Sequence, residues 1–290
     1  MKLLVIGASG QVARALAYQG GNAGAEIVRA GRPQIDLANP SGLADLIGQV
    51  APDAIINAAA YTAVDKAEQE VEAARALNAT GPAALARAAA SRRLPFIHIS
   101  TDYVFSGEAG APYAETAQTA PLNVYGQTKA EGEKAVLAAH PGALVVRTSW
   151  VYAPEGQNFV RTMLRLAAER EALNVVEDQI GRPTEAHALA EALIDLASQL
   201  RGGAAGGLLH VANAGEASWR DLAEAAVRGA GLTTPVSGIP TSAYPTPARR
   251  PGDTRLDLSR AADVYNIRLP DWRESLERCL EMMGVSGRRA

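Results

Sequence analysis

Short runs of Val, Ile and Leu alternate along this chain with longer Ala-rich stretches of helical period, and that alternation restricts the fold more than any single residue does. A run such as "DAIINAA" (53 to 59) places apolar residues at consecutive positions, so both faces need cover. That is the condition of a strand inside a parallel sheet layered with helices. "KLLVIG" (2 to 7), "EIVRA" (26 to 30), "DAIINAA", "PFIHIS" (95 to 100) and "ALVVRT" (143 to 148) are the expected strands. Helices are expected near 11 to 19, 40 to 50, 71 to 92 and 123 to 139. Crossovers of this kind are almost always right-handed, so the order winds into an α/β fold, a Rossmann-type doubly wound parallel sheet.

After Trp150 the alternation loosens. Helices are expected at 157 to 171, 185 to 200, 218 to 230 and 271 to 283, separated by Pro-rich loops. This half reads as a smaller C-terminal substrate-binding part over 156 to 290, interleaved with a sheet domain over 1 to 155. "GLLHVANAG" (207 to 215) is strand-like again, and the segment from about 207 to 232 is expected to rejoin the sheet.

With a formal net charge of -3 and no Lys/Arg-dense stretch, the chain lacks the footprint of nucleic-acid or anionic-membrane binding, and small molecules are the expected partners. Cys279 is the single cysteine, in the amphipathic segment "LERCLEMM", so no intrachain disulfide forms and core packing is its expected role. No run of about 18 apolar residues occurs, and "MKLLVIGASG" enters a glycine turn rather than a cleavage site. A soluble cytoplasmic protein is expected.

"GASGQVA" (7 to 13) follows the first strand and opens the first helix. There Gly7 permits the tight turn, Gly10 lets backbone approach a pyrophosphate, and the helix N-terminus offers amide donors, so a dinucleotide is the expected ligand. Where an acidic residue usually holds the adenosine 2'-hydroxyl, "VRAGRPQIDL" carries Arg29 and Arg32. A guanidinium suits a 2'-phosphate, which favours NADPH, with NADH possible; Asp36 and Leu37 then lie near the adenine.

"VYGQTKAEGEKAVL" (124 to 137) sets Tyr125 and Lys129 four residues apart, on one helical face. A phenol near an ammonium is drawn toward phenolate, so Lys129 is expected to lower the pKa of Tyr125. "HISTDYVFSG" (98 to 107) ends the fourth strand at Thr101, at the strand edge where ligands of such folds bind, completing a Thr, Tyr, Lys group. The four histidines are scattered; His98, within a strand, reads as a packed core residue, and no metal-ligand spacing appears.

"GASGQVA", "NAAAYTAVDKAE", "STDYVFSG", "PLNVYGQTKAEGE", "RTSWVYA", "NFVRTML" and "DQIGRPT" together resemble the dTDP-4-dehydrorhamnose reductase family of extended short-chain dehydrogenases, from Met1 to about Asp257. The resemblance implies reduction of the C4 keto group of dTDP-4-dehydro-L-rhamnose, a dTDP-sugar, to dTDP-L-rhamnose. Tyr125 is then the proton donor, Lys129 holds the nicotinamide ribose, and Thr101 orients the carbonyl. It also implies that Gly7, Gly10, Gln11 and Val12 line the pyrophosphate turn and that Ala58, Ala59, Ala60, Tyr61 and Thr62 line the cofactor. Asp102, Tyr103, Trp150, Asn158, Gln179 and either Arg250 or Arg255 are implied to contact the substrate, an arginine facing the diphosphate. Some relatives dimerise through Mg²⁺ held partly by a carboxylate on the first helix; here that helix offers Ala15, which leaves monomer or homodimer open and no metal expected. Asp253 and Thr254 stand where the family more often has Asn and Ser.

Two rival readings remain at this point. A sugar-nucleotide epimerase or dehydratase shares the fold and the Tyr/Lys pair, although dehydratases usually follow the threonine with Asp and Glu, and here Thr101 precedes Asp102 and Tyr103. A non-catalytic subunit similar to the regulatory partner of methionine adenosyltransferase has no need of Thr101, Tyr125 and Lys129 together.

Overall fold

The structure, a computed structural model, describes residues 1–287; the last three residues of the expected substrate-binding part lie outside them. The first half runs β1 (Lys2–Ile6), α1 (Gln11–Asn22), β2 (Glu26–Ala30), α2 (Leu43–Val50), β3 (Ala54–Asn57), α3 (Val64–Ala67), α4 (Val71–Arg75), α5 (Gly81–Ser91), β4 (Phe96–Thr101), α6 (Val124–Ala139) and β5 (Leu144–Thr148). The second half runs β6 (Val151–Tyr152), α7 (Phe159–Glu169), β7 (Leu173–Val176), β8 (Ile180–Gly181), β9 (Thr184–Glu185), α8 (Ala186–Arg201), β10 (Gly207–His210), β11 (Ala217–Ser218), α9 (Trp219–Gly229), β12 (Val236–Ile239), α10 (Ser259–Tyr265) and α11 (Trp272–Met282).

Six parallel strands form the main sheet in the order β10-β5-β4-β3-β1-β2. Ile6 lies opposite Asn57, Asn57 opposite His98, and Thr101 opposite Thr148, so the carboxyl ends of the central strands finish together. The order reverses between β1 and β3, which opens a crevice at that edge. Short two-stranded ribbons, β6 with β9, β8 with β11 and β7 with β12, build the second part above it.

Each face of the sheet buries its own apolar layer. Val5, Ile56, Ile97 and Val146 pack against Leu16 of α1 and Leu189 and Leu193 of α8. Leu4, Ile55, Phe96 and Val145 pack against Leu46 of α2, Leu85 of α5 and Val136 of α6. Each fully buried aliphatic side chain contributes about 1.5–3 kcal/mol. Ala15, the position without a carboxylate, is buried in the first of these layers.

The single helix expected over 71 to 92 is broken. Residues Ala76–Thr80 form a π-helical segment between α4 and α5, and there the buried Asn78 leaves the regular ladder. Its amide nitrogen donates to Thr128 Oγ1 of α6 at 3.0 Å and to the Tyr61 carbonyl at 3.2 Å, and its Oδ1 accepts from Tyr61 N–H at 2.8 Å. The extra residue aims one amide at two neighbouring elements, a common use of such bulges.

Candidate active site

Toward the carboxyl edge, the sheet face beneath α6 changes from apolar to polar. Ile55, Phe96 and Val145 give way to Asn57, His98, Ser100 and Arg147, all at most 2% exposed. Helix α6 answers them. Glu133 accepts from Ser100 Oγ at 2.6 Å and from Arg147 at 2.8 and 2.7 Å, and Lys129 donates to the Ile99 carbonyl at 2.6 Å. Asn123 caps the helix by accepting from Gly126 N–H at 2.8 Å, which fixes where its first turn begins.

The glycine in that turn has a steric cause. A Cβ on Gly126 would overlap the Tyr103 carbonyl oxygen, and one on Gly132 would overlap the Asn78 carbonyl. Glycine at both positions lets α6 lie directly on neighbouring backbone, which brings Tyr125 and Lys129 to the strand ends.

A cleft of about 620 Å³ runs along this edge. Gly7, Gly10, Gln11, Val12, Arg32, Asp36, Leu37, Ala58, Ala59, Ala60 and Thr62 line it, together with Thr101, Tyr125, Lys129 and Trp150. The expected cofactor and catalytic residues are thus brought together, apart from Tyr61, whose hydroxyl donates to Glu70 at 2.5 Å.

The glycine turn fits a dinucleotide. Gly7 has φ +125°, and a Cβ there would lie 3.2 Å from the Ala58 carbonyl carbon; Gly10 faces open space. As N-cap of α1, Gly10 supplies no capping side chain, so the first-turn N–H groups remain for an anion. Arg29 donates to the Ala8 carbonyl at 2.9 Å, and Arg32 lines the cleft at the same end. Thr148 Oγ1, which also belongs to a cleft residue, is buried without a partner.

The electrostatics of the catalytic group differ from the expectation. Burial, reinforced by the nearby Asp102 carboxylate and only partly offset by the neighbouring Thr101 hydroxyl, raises the pKa of Tyr125 to about 12 rather than lowering it. Lys129 is occupied by the Ile99 carbonyl and His98, and burial, only partly offset by Glu133, brings its pKa down to about 8. Desolvation wins because Lys129 is fully buried and Tyr125 half-buried, while the lysine faces the sheet rather than the phenol. At neutral pH Tyr125 keeps its proton.

Asp102 was expected to meet substrate; it sits behind Thr101 instead, 2% exposed. Its Oδ1 accepts from Thr101 at 3.0 Å and its Oδ2 from Thr254 at 2.5 Å, so Thr254 keeps a hydroxyl function where serine is more usual. The Thr101 proton is therefore directed at Asp102, while its oxygen accepts from Tyr103 N–H at 3.2 Å. Burial raises Asp102 to about 6, against the opposing hydrogen bonds from Thr254 and Thr101. A folded pKa above the unfolded value means that the contribution to stability is full below about pH 4 and is lost as pH rises through 6. Asp102→Asn retains the shape and removes the charge, and is expected to stabilise the fold by about 2–3 kcal/mol at pH 7. In urea unfolding the gain should shrink toward zero near pH 4; a pH-independent difference would contradict this placement.

The remaining substrate positions divide. Trp150, at φ +49°, stacks on Trp219 with ring centroids 3.7 Å apart, and Gly181 leaves room for its indole. Gln179 accepts from Trp219 Nε1 at 3.1 Å and donates to Thr241 Oγ1 at 3.0 Å, so it supports the stack from behind. Tyr103 meets Tyr125 edge-on at 5.8 Å. Asn158 caps α7 and donates to Gln11 Oε1 at 3.1 Å, tying the second part to the glycine turn.

Neither arginine faces the cleft. Arg250 is held by both oxygens of Asp65 at 3.0 and 2.9 Å, and Arg255 by Asp253 and Glu216 at 2.7 Å each. Sequence reasoning missed Trp219, Glu133, Arg147 and Asn78, which act through partners distant in the chain. Thr148 and Ser149, which precede Trp150 in "RTSWVYA", also line the cleft.

A glycine turn at the switch point of a parallel sheet, with Thr101, Tyr125 and Lys129 on the same cleft, defines a Rossmann-type fold of the short-chain dehydrogenase kind. The family model described as RmlD substrate binding domain matches residues 1–285, and the chain belongs to that family. A Sinorhizobium fredii protein named dTDP-4-dehydrorhamnose reductase is 44% identical over 297 residues, covering 100% of both chains. The structure of a dTDP-4-dehydrorhamnose reductase from Clostridium acetobutylicum superposes with a TM-score of 0.93 at 35% identity, covering 98% of this chain and 100% of that one. A dTDP-4-dehydrorhamnose reductase from Bacillus anthracis, solved in complex with NADP, superposes with a TM-score of 0.91 at 34% identity, over 97% of this chain and 98% of that one. Among the described residues no helix is long and apolar enough to cross a membrane.

Proposed function

We propose that this protein reduces the C4 keto group of dTDP-4-dehydro-L-rhamnose to dTDP-L-rhamnose, with NADPH as reductant and Tyr125 as proton donor. The observation that carries the reading is that Thr101, Tyr125 and Lys129 line the same cleft as the uncapped glycine turn. The full-length similarity to proteins named for that activity supports it.

Bound along the glycine turn, NADPH supplies a hydride to C4. Tyr125 Oη releases its proton to the oxygen that gains charge, which leaves an alcohol and a phenolate that solvent reprotonates. Thr101, anchored by Asp102, sets the direction of the phenol, and Lys129 Nζ holds the ribose end. Gly7, Gly10, Gln11 and Val12 bind the pyrophosphate, and Arg32 near the adenosine favours the 2'-phosphate. In this reading residues 1–155, rejoined by β10, hold the cofactor, and the described residues from 156 to 287 close over the dTDP-sugar, with Trp150 bordering the deoxysugar.

The test is steady-state oxidation of NADPH with dTDP-4-dehydro-L-rhamnose, with NMR identification of the product. Equimolar NADP⁺ and dTDP-L-rhamnose are expected. Purified protein carrying tightly held NAD⁺, with sugar interconversion and no net NADPH consumption, would reject reduction in favour of epimerisation.

A further inference from the structure

Trp150 lines the cleft at a backbone φ of +49°, a conformation that residues with a bulky side chain rarely adopt. Its neighbours pin the backbone there. Ser149 Oγ donates to the Arg182 carbonyl at 2.7 Å, and the Trp150 carbonyl accepts from Thr184 N–H at 3.2 Å. These bonds fix where the indole starts, yet the ring still turns about its side-chain torsions. Its plane is set by packing.

The packing comes from far along the chain. β11 pairs antiparallel with β8, Ala217 opposite Gly181 and Ser218 opposite Ile180, and α9 opens on the next residue, Trp219. Ser218 and Asp221 cap that helix reciprocally at 3.0 Å each, so the place of Trp219 follows from the strand pairing. Gly181 lies against the edge of the Trp150 indole, where a Cβ would overlap Cε2. Trp219 covers one face of that indole, with the two rings parallel to within 5°.

Trp219 is itself held in orientation. Its Nε1–H donates to Gln179 Oε1 at 3.1 Å, Gln179 donates to Thr241 Oγ1 at 3.0 Å, and Thr241 Oγ1 donates to Asp178 at 2.6 Å. Phe159 of α7 packs on the same ring at 4.6 Å, tilted by 51°. Trp219 stands behind Trp150 and is not part of the cleft lining, so it meets a bound sugar only through that indole.

We propose that Trp219 is a positioning residue: by fixing the plane of the Trp150 indole it sets how tightly the cleft holds the deoxysugar, and it leaves the cofactor end untouched. An indole offers an apolar surface, which suits the C–H groups and methyl of a 6-deoxysugar. Released from its stack, the Trp150 ring would present that surface in several orientations, and binding would bear the cost of selecting one. Thr101 and Tyr125 reach the cleft from β4 and α6, apart from the stack. The lost energy is therefore the same in the bound sugar and in the transition state, which raises KM and spares kcat.

This inference rests on the reduction proposed above, and the two fail separately. Wild-type protein that does not reduce the keto sugar rejects that reading, whereas an active Trp219→Leu with unmoved KM rejects only this one. In Trp219→Leu, the KM for dTDP-4-dehydro-L-rhamnose is expected to rise about 3- to 10-fold, the range that a stacked aromatic pair corresponds to, with kcat and NADPH affinity little changed. Added to Trp150→Leu, the same substitution is expected to raise KM no further, because its effect passes through the missing indole. An additive double variant, or a fall in kcat or NADPH affinity of the same size, overturns the proposal. The free protein gives a reading without turnover. Of its three tryptophan indole N–H signals, the one that vanishes in Trp150→Leu is expected to move in Trp219→Leu, and an unmoved signal overturns the positioning whatever the protein reduces. Should Trp219→Leu not fold, Trp219→Phe is carried through the same measurements, with a smaller rise in KM and the same non-additivity expected.

Discussion

Tyr125→Phe is expected to lower turnover by about 10²- to 10⁴-fold, the usual contribution of a positioned acid, while NADPH affinity changes little. The phenylalanine keeps the edge-on contact with Tyr103 and loses only the hydroxyl. Stopped-flow turnover beside fluorescence titration of NADPH separates the two effects. A variant that turns over at the wild-type rate would take the acid role away from Tyr125; one that no longer binds NADPH would make its role architectural. The raised pKa sharpens the expectation, because a phenol near 12 is almost fully protonated at pH 7 and needs no preceding proton uptake. The wild-type rate should therefore show no loss of an essential phenol proton below about pH 9.

Arg147→Met should produce the largest loss of stability, about 3–5 kcal/mol, because it leaves the Glu133 carboxylate buried without its partner. Both side chains are almost wholly enclosed, at 2% and 5% exposure, and the guanidinium fork meets both carboxylate oxygens. The double variant Arg147→Met with Glu133→Leu removes the charge as well as its partner, and is expected to recover most of the loss. Denaturant unfolding of the two single variants and the double variant completes the cycle. If Arg147→Met were neutral, the pair would not be what anchors α6 beneath the strand ends. Loss of that anchor should also lower activity, since Tyr125 and Lys129 lie on the same helix.

What the sequence made legible was local. The glycine turn follows a strand and opens a helix, Thr101 ends a strand, and Tyr125 and Lys129 are one turn apart; each placement depends on the backbone period nearby, and each appears on the cleft. The strand-like 207 to 210 lies beside β5 in the sheet. What was not legible depends on partners far along the chain. The sequence shows that Arg250 and Arg255 are charged, but not that Asp65, Asp253 and Glu216 meet those charges. It shows Asp102 beside Thr101, but not Thr254 closing over the carboxylate and turning it inward. The break at Ala76–Thr80 has no compositional mark, since Ala, Leu, Asn and Thr also occur in regular helices, and only the contacts of Asn78 with Tyr61 and Thr128 account for it. The expected fall in the Tyr125 pKa failed for a related reason: helical spacing places Lys129 near the phenol, while burial and the direction of Nζ decide the sign.

Isotope transfer tests the central claim most directly. With NADPH deuterated at the transferable position of the nicotinamide, and dTDP-4-dehydro-L-rhamnose in ordinary water, the account predicts product carrying deuterium on carbon C4 and a solvent-exchangeable proton on the new hydroxyl. Product whose C4 hydrogen comes from water, or recovery of the keto sugar with the deuterated cofactor intact, would contradict it.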